Sequence, residues 1–486
     1  MVYHIESIDI FVRKMPPDRM LFSIGQTEEG GAAKVAKKRR PLAILLVRIH
    51  VSTDNGMSAV GCAGDRPSFG WLDKRGDRTP DQKLSQLLDL VESARKIYLD
   101  GGKSFSSVFS LWKEAHEAVA SQSRLLDAEE LMGSYASALF ERAVIDAVCR
   151  LESTPFSSAV RSNLLGIEPA VIHPELKSLR FERIFPERPR TRFHIRHTVG
   201  HSDPIDAVEH RVRDGEPETL KEYAERDGLK YFKIKISGDA DTDLRRLGEI
   251  WNRVLSRIEG VSITLDGNEA FTDIAVFEEF VDRFSSDHHG MFQHTMFIEQ
   301  PMTRALTLDP KTAVTVKRIA EKKPLVIDEA DGRTTAFREA FDIGYDGCSH
   351  KNCKGVFKSL LNWALCHHFE NTTEREVFLT GEDLSNMSII PLHQDFAALG
   401  VLNISHCERN GHHYGYGLSH LNRGEKRRVS KNHSDLYQKR GDEYFLRIEN
   451  GQVRTESLHQ TGFGSHTLPD WNALVPLEDW RASEKV

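Results

Sequence analysis

The sequence has no run of about 18 apolar residues, the length needed to cross a bilayer. Its opening stretch, MVYHIESIDIFVRK, lacks the apolar core of a secretory leader. Both absences point to a cytoplasmic chain with no membrane partner. An excess of positive charge is also missing: 65 Lys and Arg face 72 Asp and Glu, giving a net charge of −7 and a pI of about 6.4. That balance leaves no electrostatic footprint for nucleic acid. Cysteine is scarce, and Cys62, Cys149, Cys348, Cys353, Cys366 and Cys407 show none of the paired spacings of a zinc site, so a reducing compartment suits them. What remains is an ordinary soluble composition, 39% apolar and 28% charged over 486 residues. A chain of that length holds two or more domains with ample core.

The first sixty residues alternate like antiparallel strands, YHIESIDIFVRK and then PLAILLVRIHVST, with DNG as a turn into MSAVGCAG. Between the first two lies the polar segment 24–41, whose basic run Lys37 to Arg40 reads as a solvated loop. From about 83 to 150 apolar residues recur every three or four positions, in KLSQLLDLVESARKIYLD, SVFSLWKEAHEAVA and AEELMGSYASALFERAVIDAVCRL, as amphipathic helices require.

The stretch YFKIKISGD places Lys233 and Lys235 two apart on a short strand, so both ammonium groups point to one face. Their repulsion and any burial favour the neutral amine of a base. Two exposed lysines on an edge strand are the plainer alternative. Acids then end successive apolar runs at intervals of roughly thirty residues, the length of a strand–helix unit: Asp266 in SITLDGNEAF, Glu299 in MFIEQPM, Asp328 in PLVIDEADG. Each interval contains a helical pattern, and Lys351 follows in GYDGCSHKNCKGV. Parallel strands of a closed barrel all end on one face, so these groups would converge there. Three hard oxygen ligands suit Mg²⁺.

The set KxK, LDGNEA, IEQP, IDE and a lysine on the next strand resembles the enolase superfamily, and within it the mandelate racemase/muconate-lactonizing branch. The resemblance implies a modified TIM barrel, a (β/α) barrel, with an α+β capping domain formed by the N-terminal region and the C-terminal tail. The domains would be a cap at 1–188, the catalytic barrel at 189–420, and a segment at 421–486 returning to the cap. It implies one Mg²⁺ per site on Asp266, Glu299 and Asp328, with Asn268 and Glu329 supporting these ligands. Lys235 and Lys351 would be the acid/base pair, and Lys233 would offset charge or hold the substrate carboxylate. The segment 24–41 would fold over the barrel mouth and meet an anionic substrate. A homo-oligomer acting on a small-molecule carboxylate is expected.

The strand-six run CSHKNCKG leaves the register open among His350, Lys351 and Lys354, and Lys351 is favoured. Glu382 in TGEDLSN and His406 and Glu408 in ISHCERNGHHYGYG would end strands seven and eight and, with His350, contact substrate. His194, His197 and His201 in one segment fit no standard zinc spacing.

The expected chemistry removes a proton next to a carboxylate to give an enediolate. Two lysines favour an isomerase, either racemase/epimerase or cycloisomerase; a dehydratase acting on an acid sugar or related hydroxy acid is the alternative. A Schiff-base aldolase needs no acid triad, and a catalytically inactive barrel acting as a binding protein is the remaining class.

Overall fold

The computed structural model describes residues 1–20 and 43–484. The basic segment at 24–41, with Lys37 to Arg40, lies outside the described residues. Strands β1 (Tyr3–Lys14), β2 (Ala43–Thr53) and β3 (Ser58–Asp65) form an antiparallel sheet in that order. Gly56 takes a φ of +82° in the β2–β3 turn, a left-handed position that favours glycine. Three helices pack on the sheet: Pro80–Gly101, opened by a Thr79–Gln82 capping box, Val108–Leu125 and Glu130–Leu151. The last is buried on nearly every face, so the one-sided apolar stripe expected of it gives way to burial all round, with Glu141, Arg142 and Asp146 buried among its apolar residues.

Eight parallel strands follow: β4 (Arg192–Val199), β5 (Tyr231–Lys235), β6 (Ser262–Asp266), β7 (Thr295–Glu299), β8 (Leu325–Ile327), β9 (Gly347–His350), β10 (Phe378–Gly381) and β11 (His406–Arg409). Each pairs with the next, and β11 closes on β4 from His406 opposite His194 to Arg409 opposite His197. The helical patterns between the acids form Ala240–Arg253, Ile274–Asp287 and Ala313–Ala320. Their apolar stripes cover the strands, so each strand is buried on both sides.

The cap is fastened to the barrel through the buried helix. Ser134 donates to the Gly332 carbonyl at 2.8 Å, and Glu141 accepts from the Phe357 amide at 2.6 Å. Arg142 pairs with Asp65 beneath the sheet.

Two features of the tail differ from expectation. NRGEKRRVSKNHS reads as a charged loop, yet Arg423–Asn432 is a helix. Asn422 and Glu425 form its capping box, Val429 is buried, and Glu425 accepts a two-pronged pair from Arg13 of β1 at 2.9 and 2.5 Å. Nor does EYFLRIENGQV return to the cap as one strand. Glu443–Leu446 pairs with Tyr437–Arg440, and Gln452–Arg454 pairs antiparallel with β4. Val475–Pro476 rejoins β1, followed by the helix Leu477–Glu484. All six cysteines are free and buried, and among the described residues no helix is long and apolar enough to cross a membrane.

Candidate active site

Because the barrel strands are parallel, their final residues surround one mouth. Asp266 and Glu299 end β6 and β7 and are direct cross-strand partners, and Asp328 follows β8 immediately. Gly267 is required beside Asp266, since a Cβ there would lie 2.7 Å from Pro301 Cα.

Lys233 is the hub. Its Nζ lies 2.8 Å from Asp266 Oδ2, 2.8 Å from Glu299 Oε2, 2.7 Å from Glu382 Oε2 and 3.0 Å from Glu408 Oε2. Arg196 of β4 pairs with the other oxygen of Glu382, and Thr198 donates to Glu408 at 2.6 Å. One ammonium thus neutralises parts of four buried carboxylates.

Lys235, on the same face of β5, donates to Asp266 Oδ2 at 2.6 Å and to Asn268 Oδ1 at 2.5 Å. Asn268 is fixed in turn: its Nδ2 donates to Glu329 at 2.8 Å and its amide to Asp266 at 2.8 Å. Lys74, reaching over from the cap, donates to the Asn268 carbonyl at 2.5 Å and to Glu329 at 2.9 Å. Across the mouth, Lys351 donates to Asp328 Oδ2 at 2.6 Å while the Trp71 ring of the cap covers its Nζ at 4.2 Å. Asp328 Oδ1 accepts from Ser349 at 2.5 Å, and Lys354 lies 3.3 Å from it. Lys235 and Lys351 keep 5% and 4% of their surface exposed against 1% for Lys233, so they are the two that face the mouth.

These surroundings overturn one expectation for Lys233, that crowding would push it towards the neutral amine. Burial does favour that form, but Asp266, Glu299, Glu382 and Glu408 together outweigh it and hold the Lys233 pKa well above the usual value. Burial likewise works against charge on Lys351, and Asp328 with Glu299 and Glu408 overcomes both it and the repulsion of Lys233, so this pKa is raised too. Burial would raise the Asp266 carboxyl, but Lys233 and Lys235 hold it down to about 2. Glu299 goes the other way, pushed well above the carboxylate range by burial and then by Asp266 and Glu382.

Of the four expected substrate contacts, two lie elsewhere. His350 points away from the lumen because its neighbours Ser349 and Lys351 point in; it bonds Ser359 Oγ at 2.8 Å. His406 opens β11 at the barrel floor and stacks on Tyr231, which opens β5, with ring centroids 5.2 Å apart. Glu382 and Glu408 do face inward, where their oxygens bond Lys233, Arg196, Thr380 and Thr198. Sequence reading missed Arg196, Thr198, Trp71 and Lys74. For the first two a signal existed, since alternation in RFHIRHTV puts Arg196 and Thr198 on one face. Trp71 lies in the one-turn helix Phe69–Leu72 and Lys74 in the loop after it, too short a stretch for periodicity to mark.

The donor set fits a hard divalent cation. Three carboxylates end consecutive strands, and the cation beside buried Glu299 Oε2 is the Lys233 ammonium, whose hydrogen bond goes to Oε1. The raised Glu299 carboxyl reports a crowd of acids short of positive charge. In this structure the shared cations are lysines, Lys233 for Asp266 and Glu299 and Lys351 with Lys354 for Asp328.

No family model and no curated protein matches the sequence. Among solved structures, a muconate cycloisomerase variant aligns at 15% identity and a TM-score of 0.53 over 99% of each chain. A dipeptide epimerase from Cytophaga hutchinsonii, complexed with Mg and a dipeptide, aligns at 12% identity and a TM-score of 0.58 over 98% of each. An isomerase from Streptomyces coelicolor A3(2) aligns at 14% identity and a TM-score of 0.55 over 99% of each. The chain has the fold of these proteins, a capped parallel barrel, from end to end.

Proposed function

We propose that the chain belongs to the enolase superfamily, in its mandelate racemase/muconate-lactonizing branch. On this reading it removes the proton α to the carboxylate of a small molecule and acts as a Mg²⁺-dependent isomerase. The observation that carries the reading is the placement of Lys235 and Lys351. They come from opposite strands, face one mouth, and are each tied to a different strand-end acid, at 2.6 Å in both cases. Asp266, Glu299 and Asp328 would hold the Mg²⁺, which supplies positive charge to stabilise the negative charge developing on the substrate carboxylate.

The chain's own groups divide the remaining work. Lys235 Nζ is aimed by Asn268 and takes or returns a proton on one face of the substrate carbon. Lys351 Nζ does the same on the other face, under a Trp71 ring that excludes water from that side. Lys233 favours the ionised form of Asp266 and holds Asp266 and Glu299 in place. If one lysine takes the proton and the other delivers one, the product is an epimer. If a β-hydroxyl leaves instead, the same residues perform a dehydration.

A second reading, a barrel that binds without catalysis, draws on one observation: the acids are already neutralised by lysines. The experiment that separates them is deuterium uptake. Acid sugars, dipeptides and lactones are incubated with the protein and Mg²⁺ in D₂O, and α-deuteration is followed by mass spectrometry. Exchange in some member supports the enzyme; binding by calorimetry without exchange across the panel supports the binding protein.

A further inference from the structure

On β4, Arg196 and Thr198 point into the barrel, to Glu382 and Glu408, so His197 between them points out. There it meets His412 and His413 of Gly411–Tyr414, the short helix after β11. One nitrogen from each ring lies within 4.8 Å of the other two. Ring centroids are 4.2 Å apart for His197 and His413, 5.0 Å for His412 and His413, and 5.7 Å for His197 and His412.

What distinguishes this cluster is its lack of hydrogen bonds. His197 Nδ1, both nitrogens of His412 and both of His413 are buried with no hydrogen-bond partner; the Arg409 backbone comes near His412 without bonding geometry. Leaving such an atom unpaired costs about 1–3 kcal/mol. Three other buried histidines each hold at least one hydrogen bond, although His420 Nδ1 and His433 Nε2 are also left unpaired. His393 bonds Ser465 and Tyr437, His433 bonds Ser457, and His420 bonds the Ser388 carbonyl. The surrounding cations are no obstacle to another, because each is paired. Arg19 is held by Asp214 at 2.6 Å, Arg226 by Glu216 at 2.6 Å and Asp227 at 2.7 Å, Arg440 by Glu216 at 2.7 Å, and Arg409 by Asp395 at 2.5 Å.

We propose that His197, His412 and His413 form a three-histidine site for a divalent transition-metal ion of the Zn²⁺ class, outside the barrel lumen and separate from the acid cluster. Imidazole nitrogens select such ions over Mg²⁺. Zn–N bonds of about 2.0–2.1 Å set tetrahedral nitrogens about 3.4 Å apart, a spacing that rotation of these rings supplies. Water completes the set on the half-buried His412 side. The bound ion clasps the loop after the last strand to the first strand, at the seam where the barrel closes.

The test uses the full chain, stripped with chelator and then dialysed against Zn²⁺ or Co²⁺ with Mg²⁺ in excess. One equivalent of metal is expected, with the intense visible bands of tetrahedral Co²⁺ and a rise in Tm on Zn²⁺ addition. His197→Asn and His412→Asn each lose the equivalent and the spectrum, while Glu299→Gln keeps both. If His197→Asn does not fold, the half-buried His412→Asn decides. No stoichiometric uptake, or uptake lost in Glu299→Gln but kept in the histidine variants, overturns the proposal.

Discussion

Lys235 Nζ donates to Asn268 Oδ1 at 2.5 Å, and Asn268 is itself pinned by Glu329 and by the Asp266 carboxylate. The amide therefore acts as a bracket that aims the lysine. Its backbone φ is +44°, which a glycine adopts without strain. Asn268→Gly removes the bracket and spares the turn. We expect α-proton exchange to fall about 10- to 100-fold, the usual effect of losing a supporting group, with little change in the thermal unfolding midpoint. An unchanged exchange rate would show that Lys235 needs no bracket.

Lys233 neutralises four buried acids, so its removal leaves anions facing one another. Lys233→Met should lower stability by about 3–5 kcal/mol, the cost of breaking a buried ion pair from one side. Added Mg²⁺ should restore part of that loss, read as a recovery of the urea midpoint. A variant as stable as the parent, with or without Mg²⁺, would contradict the charge cluster.

Much of this site was legible because it depends on order along the chain. Acids and lysines at the ends of successive apolar runs must share a mouth once the strands close in parallel, and Asp266, Glu299, Asp328, Lys235 and Lys351 do. Alternation set His350 and Lys351 on opposite faces without saying which looks inward, and the structure turns the favoured Lys351 to the mouth and His350 away. What the pattern could not convey was pairing across distance. Glu382 pairs with Arg196, 186 residues away. His197 and His412–His413 lie on different strands' ends, so no local spacing marks them as neighbours. The same limit hid the helix Arg423–Asn432, whose partner Arg13 sits on the first strand of the chain.

The seam between cap and barrel should also respond to acid. Burial lowers the imidazoles of His420 and His433 to about 4, and His393 well below its usual value, with His433 adding repulsion there. Below their unfolded value of about 6.5, the unfolded chain takes up protons that the folded chain refuses. Their contribution is therefore complete above that pH and is lost as pH falls towards the folded values, at about 1.4 kcal/mol per pH unit for each histidine. The urea midpoint should drop between about pH 7.5 and about pH 5.5, and His393→Gln should flatten the drop. A midpoint constant over that window would contradict the burial of these rings.

Trp71 closes the mouth over Lys351 with its ring 4.2 Å from the ammonium. Trp71→Ala opens that side to water and to larger molecules. The expected result is a KM for the exchanging substrate raised about tenfold or more, in line with loss of a large aromatic contact, with the fold retained by circular dichroism. Unchanged kinetics would place the substrate on the other side of the mouth.

The central claim is that two lysines serve opposite faces of one carbon, and single-enantiomer exchange in D₂O tests it most directly. With a substrate found by the deuterium screen, Lys235→Ala should stop α-exchange of one enantiomer and Lys351→Ala that of the other, while each variant remains folded. Full exchange of both enantiomers in both variants, or undiminished exchange after chelation of divalent metal, would contradict the account.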